Sequence, residues 1–495
     1  MLVLVGGSTS AQKRGAVWCF GDSALVDFSD TSNITFGTSS LKTRGSCASV
    51  CDTSGQLVFY TGYDTDTWSN GGPAFKNVEI FNSNHTTMVN GDSVIGQAWY
   101  REVVITDDPS KSHQYYVLSI GVTAIIEAGF YYSIVDMNAN GGLGEVIQKN
   151  VQLQTFQNVD CLSAIKHGNG RDWWVFSRRW DNTNNEWSIY KVNDSGVSSP
   201  IITNVGSSQS TGFGNISFNK HGTRMSYINT RGLIELYDFD RCTGIISNPV
   251  AISQENTSPP YPNYWSAEFS PSGKFLYVVR IPAVTNDSSK LFQFDLTSPN
   301  IAASKQTLWT TPFMITMGQL KRAPDNKIYL TTNYYQLYPY LDTQYSYINM
   351  NLSVINSPDS LGLSCDLDTF GLYLGGKRSY VGLPNNPDYD LPALAGSPCD
   401  TLVGIGNAPQ LQQASLNVFY HSTWQKAFIN ASNLKGKNGK LLVYDMQGKI
   451  IHQEPLRIQN GYYTRDLSMQ GKAHGVYLVI VQTEKERLTR KMITD

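Results

Sequence analysis

The chain has 495 residues, more than one hydrophobic core usually serves, so two domains are expected, one of them a large all-β fold. Charged residues make up only 16% and the formal net charge is −2, so there is no basic surplus to neutralise phosphates and no acidic tail; nucleic acid is excluded as a partner. Aromatics at 12%, together with abundant Gly, Asn, Ser and Thr, favour many short strands joined by turns over helices.

At the N-terminus a short apolar run from Met1 gives way to small residues, with Thr9 and Ala11 at the positions that precede a cleavage point. This pattern predicts that residues 1–11 are the remnant of a secretory signal peptide. No later stretch approaches the ~18 apolar residues of a membrane span, so no transmembrane segment is expected. The seven Cys (Cys19, Cys47, Cys51, Cys161, Cys242, Cys365, Cys399) are dispersed without a C-x-x-C pair, which argues against zinc; most are expected to be buried as small hydrophobes, and spacing does not give their pairing.

A repeat then runs along the chain: a strand, a Gly/Ser/Asn turn, and a second strand ending in aromatics. It recurs at 48–60, 104–117, 162–175, 216–227, 267–278, 320–330 and 372–381, and its turns centre on Gly55, Ser112, Gly168, Gly222, Gly273, Asn326 and Gly376. The anchors lie about 50 to 57 residues apart, the span of a four-stranded propeller blade with its loops. Seven anchors predict a seven-bladed β-propeller over 12–385. Little chain follows the seventh anchor, so its outer strand is expected from upstream, where Ala16–Phe20 and Leu25–Phe28 are available. Closing the ring in this way removes an exposed sheet edge.

Residues 386–411 have the Pro, Gly and Asn content of a linker. From 412 to 495 a second all-β unit is predicted, with alternating strands near Ser415–Tyr420, Lys440–Tyr444, Lys449–Gln453, Tyr462–Asp466, Gly475–Val481 and Leu488–Ile493. Its size and strand number suggest a small immunoglobulin-like β-sandwich.

Two resemblances follow from these residues. The hairpin at Gly448-Lys449, the strand opening Gly475-Val476-Tyr477 and the final basic strand with Lys491 resemble the C-terminal sorting domain of type IX secretion (Por) cargo. That resemblance implies a secreted or outer-surface location, recognition of this domain by the type IX secretion machinery, and its removal by a sortase-like peptidase. Gly448, Lys449, Gly475, Tyr477 and Lys491 are then the sorting signal. In the larger region, Phe20–Phe28, Gly45–Asp52, Tyr132–Met137 with Gly141–Gly144, and Gly382–Pro384 resemble the WD40-like β-propellers of secreted Bacteroidota surface proteins.

Candidate chemistry is sparse. Gly21-Asp22-Ser23 imitates the nucleophile block of GDSL hydrolases, but no His has Asp three residues before it, so the block reads as a β-turn. Asp136-Met-Asn138-Ala-Asn140-Gly141 imitates half a calcium loop, yet Ile147 stands where a bidentate Glu is needed, so no metal is expected. No block of paired carboxylates, phosphate loop or cofactor motif is recognisable, and the chain is expected not to be an enzyme and to need no cofactor.

The loops opposite the repeat turns carry aromatic rings beside Asp, Asn and Arg: Asp64, Asp66 and Trp68; Arg179, Trp180 and Asp181; Tyr261, Tyr264 and Trp265; Tyr334, Tyr335 and Tyr338. Rigid flat rings with polar edges suit sugar stacking or a protein hot spot. The reading is a binding or adhesion-type propeller that recognises a glycan or protein on this face; the alternative is a carbohydrate-active enzyme, a glycosidase or lyase, using the same face. Carboxylates gathered around a central pocket would favour the enzyme.

Overall fold

The structure, a computed structural model, describes residues 13–494 apart from 64–77, 97–99, 122–128, 182–183, 284–286, 335–343, 401–413, 423–424, 433 and 459–462. The chain forms two compact units, 1–401 and 402–495. Among the described residues no helix is long and apolar enough to cross a membrane.

The first unit is the seven-bladed propeller. Its antiparallel sheets follow in chain order as blades one to seven, over 17–42, 47–82, 103–154, 163–204, 214–253, 264–310 and 315–373. Inner strands are buried from both sides and read as near-continuous apolar runs, as in Cys47–Cys51 and Tyr264–Phe269. Outer strands such as Ile246–Ser253 are largely exposed along their middle. Blades meet through aromatic clusters: Phe176 of blade four packs against Phe218 and Phe239 of blade five, and Trp18 and Phe28 of blade one pack against Tyr329 of blade seven.

The blade count agrees with the sequence, but the strands are allotted differently. Five anchors, Gly55, Gly168, Gly222, Gly273 and Asn326, turn between the first two strands of their blades, and Ser112 lies just past the corresponding turn of blade three, inside the strand Lys111–Ile120. The Gly376 turn builds no blade, because Leu367–Tyr373 is already the fourth strand of blade seven, paired with Asn351–Ile355. Nor do Ala16–Phe20 and Leu25–Phe28 complete that blade: Val17–Phe20, Asp22–Asp27 and Thr35–Lys42 form blade one. Gly375 and Gly376, at φ +61° and +86°, turn the chain instead towards the ring's centre.

Residues 378–394 then occupy the central channel. Gly382 N donates to Arg44 O, Asn385 N to Cys47 O, and Ser49 N to Asn386 Oδ1, so the segment runs alongside the inner strand Cys47–Cys51 in the same direction. Gln319 N of blade seven donates to Val381 O at 2.8 Å, and Leu383 N donates to Gln319 Oε1 at 2.8 Å. Asn385 is the hub: its Nδ2 donates to Val103 O at 3.0 Å and Leu162 O at 2.8 Å, and its Oδ1 accepts from Arg101 Nη1 at 3.4 Å. The stretch 386–400, read from its composition as linker, continues against the propeller. Arg241 Nη2 donates to Pro392 O at 2.7 Å, Leu394 N donates to Gly168 O at 2.7 Å, and Cys399 forms a disulfide with Cys242 of blade five. Cys19, Cys47, Cys51, Cys161 and Cys365 are buried thiols.

The second unit is the sandwich. One sheet holds Ser415–His421, Lys426–Ser432 and Tyr463–Ser468. The other orders Ile450–Arg457, Asn438–Asp445, Gly475–Thr483 and Arg487–Thr494. Alternate residues (Ala427, Ile429, Leu441, Val443, Val479, Val481) form its core.

Candidate functional site

The inner strands of blades two to seven run towards the repeat turns, so the channel has two chemically different ends. Near the starts of the strands of blades three and four lie Glu102 and Asp160, both fully buried. Glu102 Oε2 accepts from Tyr100 N at 2.7 Å and Asp160 Oδ1 from Gly214 N at 3.2 Å, while Glu102 Oε1 and Asp160 Oδ2 accept no hydrogen bond from the described residues. Burial pushes the Glu102 carboxyl up to about 8, against the opposing pull of the Tyr100 amide and the Arg44 charge. Burial and then the Glu102 charge push Asp160 well above the carboxylate range. Burial thus favours the protonated form of both carboxyls.

At the repeat-turn end lies a cavity of about 1060 Å³. Its walls include the turns 219–221 and 323–326, the channel segment 385–394, and the charged side chains Arg101, Lys321, Glu268 and Asp388. Arg101 is 6% exposed; its Nη1 donates to Ile216 O at 3.1 Å, and its Nε finds no acceptor among the described residues. Lys321 Nζ donates to Asn386 O at 2.9 Å and lies 5.9 Å from the centre of the Trp18 ring. Burial lowers the Lys321 amine to about 8, with Glu268 holding it up and Arg101 pressing it down. Glu268 Oε1 accepts from Ser217 Oγ and Phe269 N, each at 3.2 Å. At the rim, Lys220 Nζ of blade five donates to Asn326 Oδ1 of blade seven at 3.1 Å. A cavity of this volume with a few convergent polar groups has the form of a small-ligand site.

Among the described residues, the aromatic candidates sit in separate surroundings. Asp64, Asp66, Trp68, Tyr335 and Tyr338 lie outside the described residues. Tyr264 and Trp265 are each 7% exposed and sit in separate cores, Trp265 with its ring 4.4 Å from that of Tyr100. Trp180 packs on Gly212 beside the core of blades four and five; Arg179 pairs with Asp181 at 3.4 Å and lies over Phe156. Tyr261 carries the Arg231 guanidinium over its ring, and Tyr334 Oη donates to Ser346 Oγ at 2.9 Å. Gly21-Asp22-Ser23 is a turn that secures closure of the ring: Asp22 Oδ2 accepts from Arg378 Nε at 3.1 Å and from Tyr345 Oη at 2.8 Å.

In the second unit, Gly448 at φ +81° forms the hairpin turn, where Asp445 Oδ1 accepts from Gln447 N and Lys449 N, each at 2.9 Å. Gly475 N donates to Thr494 Oγ1 at 3.0 Å, buried Tyr477 donates its hydroxyl to Ala473 O at 2.6 Å, and Lys491 is exposed opposite Leu478.

Sequence reading passed over Arg101, Glu102, Asp160, Glu268, Lys321 and Asn385. The available signal was a charge set among apolar residues of an inner strand, as in Ala267-Glu268-Phe269 and Leu320-Lys321, where both faces are buried and a charge needs a reason.

Residues 425–495 match the family model of the secretion system C-terminal sorting domain. No curated protein matches the chain. Solved structures similar to it include a periplasmic gluconolactonase from Pseudomonas aeruginosa (10% identity, 80% of this chain and 96% of that one, TM-score 0.37). Others are the GH43 protein BlXynB from Bacillus licheniformis (12%, 79% and 85%, TM-score 0.30) and a β-propeller domain from Myceliophteria thermophila (10%, 64% and 92%, TM-score 0.36). The expectation that the chain is not an enzyme is withdrawn on this finding, since a gluconolactonase and a GH43 protein are among its structural neighbours. At these identities no substrate or reaction passes from them to this chain.

Proposed function

Because the chain is a propeller protein whose type IX sorting domain delivers it to the cell surface or the extracellular space, we propose that it captures a polar, saccharide-type ligand in the cavity at the repeat-turn end of its channel. One observation carries this reading. Arg101, Lys321 and Glu268 line a single cavity, yet among the described residues no ion pair joins any two of them. Enclosed charges left apart are costly unless something else engages them. A polyol, which both donates and accepts hydrogen bonds, does so. The site thus lies away from the aromatic loops that first suggested recognition.

The test is calorimetry of the full chain against a panel of oligosaccharides. Lys220→Trp, which fills the rim, is expected to abolish binding, and Tyr261→Ala to leave it intact. The opposite pattern moves the site to the aromatic loops and ends this reading.

A further inference from the structure

The two cations of the cavity are anchored to consecutive residues of the channel segment: Arg101 Nη1 to Asn385 Oδ1 and Lys321 Nζ to Asn386 O. Consecutive Cα atoms lie about 3.8 Å apart, so both positive heads are brought to one short stretch of wall. Each retains donors. Arg101 Nη2, unlike the enclosed Nε, is not shut away from the cavity and donates to no described residue, and Lys321 uses one of its three N–H groups. On the inner strand of the neighbouring blade, hydrogen bonds engage Glu268 at Oε1, and none from the described residues engages Oε2. A carboxylate presents two acceptor oxygens to two donors, and charge-assisted bonds of this kind are roughly twice as strong as neutral ones. Sulfate and phosphate, with more oxygens, would leave acceptors unmet here. Glu268 repels a carboxylate on its own side and accepts from hydroxyls, which fixes the orientation.

Resting on the cavity reading above, we propose that the ligand is an acidic saccharide of the uronate class, its carboxylate held by the Arg101 guanidinium through Nη2 and by Lys321 Nζ, and its ring hydroxyls donating to Glu268. Arg101 thereby supplies specificity and Lys321 the second point of attachment.

The experiment is calorimetry of the full chain with a trisaccharide ending in glucuronate, the same trisaccharide ending in glucose, and inorganic sulfate. The uronate form is expected to bind at least about tenfold tighter than the glucose form, and that preference to shrink as salt rises. Arg101→Met and, independently, Lys321→Gln are each expected to bring the ratio of the two affinities close to one. The second variant covers the case in which the first disturbs folding through Ile216 and Asn385. Equal binding of the two trisaccharides overturns the uronate assignment and leaves the cavity reading standing. Binding of neither overturns both, and tight binding of sulfate alone replaces the uronate with a simple oxyanion.

Discussion

The sandwich and the propeller's channel are built from opposite kinds of information. In the sandwich, the sheet partners within 438–494 are neighbouring or nearly neighbouring strands, its core is an alternation of apolar residues, and the Gly448 hairpin sets the register. In the channel, the decisive contacts join residues hundreds of positions apart: Asn385 with Val103 and Leu162, Asn386 with Ser49, Arg378 with Asp22. Local pattern suffices for a module read as an address. A site at the centre of a ring exists only once the first and last parts of the propeller have met.

This contrast can be broken first at the level of export. Removing 425–495 is expected to abolish secretion through a type IX machine while the propeller still folds; unchanged secretion, measured by fractionation, would remove the sorting role.

Next is Gly382→Ala. A Cβ there would meet Gly45 O at 2.0 Å and Gly45 Cα at 2.4 Å, both backbone atoms that cannot swing aside. A loss of about 3 kcal/mol or more is expected in the propeller's denaturant transition, with the sandwich unaffected. A neutral result would mean that the channel segment does not close the ring.

The third effect is pH dependence. Glu102 titrates near 8 in the folded chain and near its ordinary 4.5 when unfolded, so between these values the folded state holds the extra proton. Stability is therefore greatest below about 4.5 as far as this group is concerned, and falls as pH rises through 8. Melting temperature against pH should slope downward over that window, and Glu102→Gln should make the slope shallower, leaving the share that Asp160 contributes in the same direction; an unchanged slope would show that the Glu102 carboxyl is not buried in this state.

The smallest effect is Tyr477→Phe, which deletes the hydroxyl bond to Ala473 O at 2.6 Å. About 1 kcal/mol of sandwich stability is expected to go, with export retained.

What the sequence made legible follows the same division. Six of the sandwich strands were legible from their alternation, whereas Lys426–Ser432 escaped notice because its inward Ala427 and Ala431 are weak apolar signals. Six repeat turns were read from Gly, Ser and Asn between strands. The Gly376 turn shares that composition but steers the chain into the channel. Pro384, Asn385, Asn386 and Pro387 look like linker because Pro lacks a ladder donor, and the same lack suits a segment held by side-chain bonds. The cavity's charges belong to blades three, six and seven, and nothing local announces that they converge.

The most direct test of the cavity is a structure of the full chain with a bound oligosaccharide from the calorimetric panel. The ligand is expected between the turns 219–221 and 323–326, against Arg101 and Lys321 and beside Asn386. A ligand seated instead on Trp180 or Tyr261, with the cavity empty, would contradict the account.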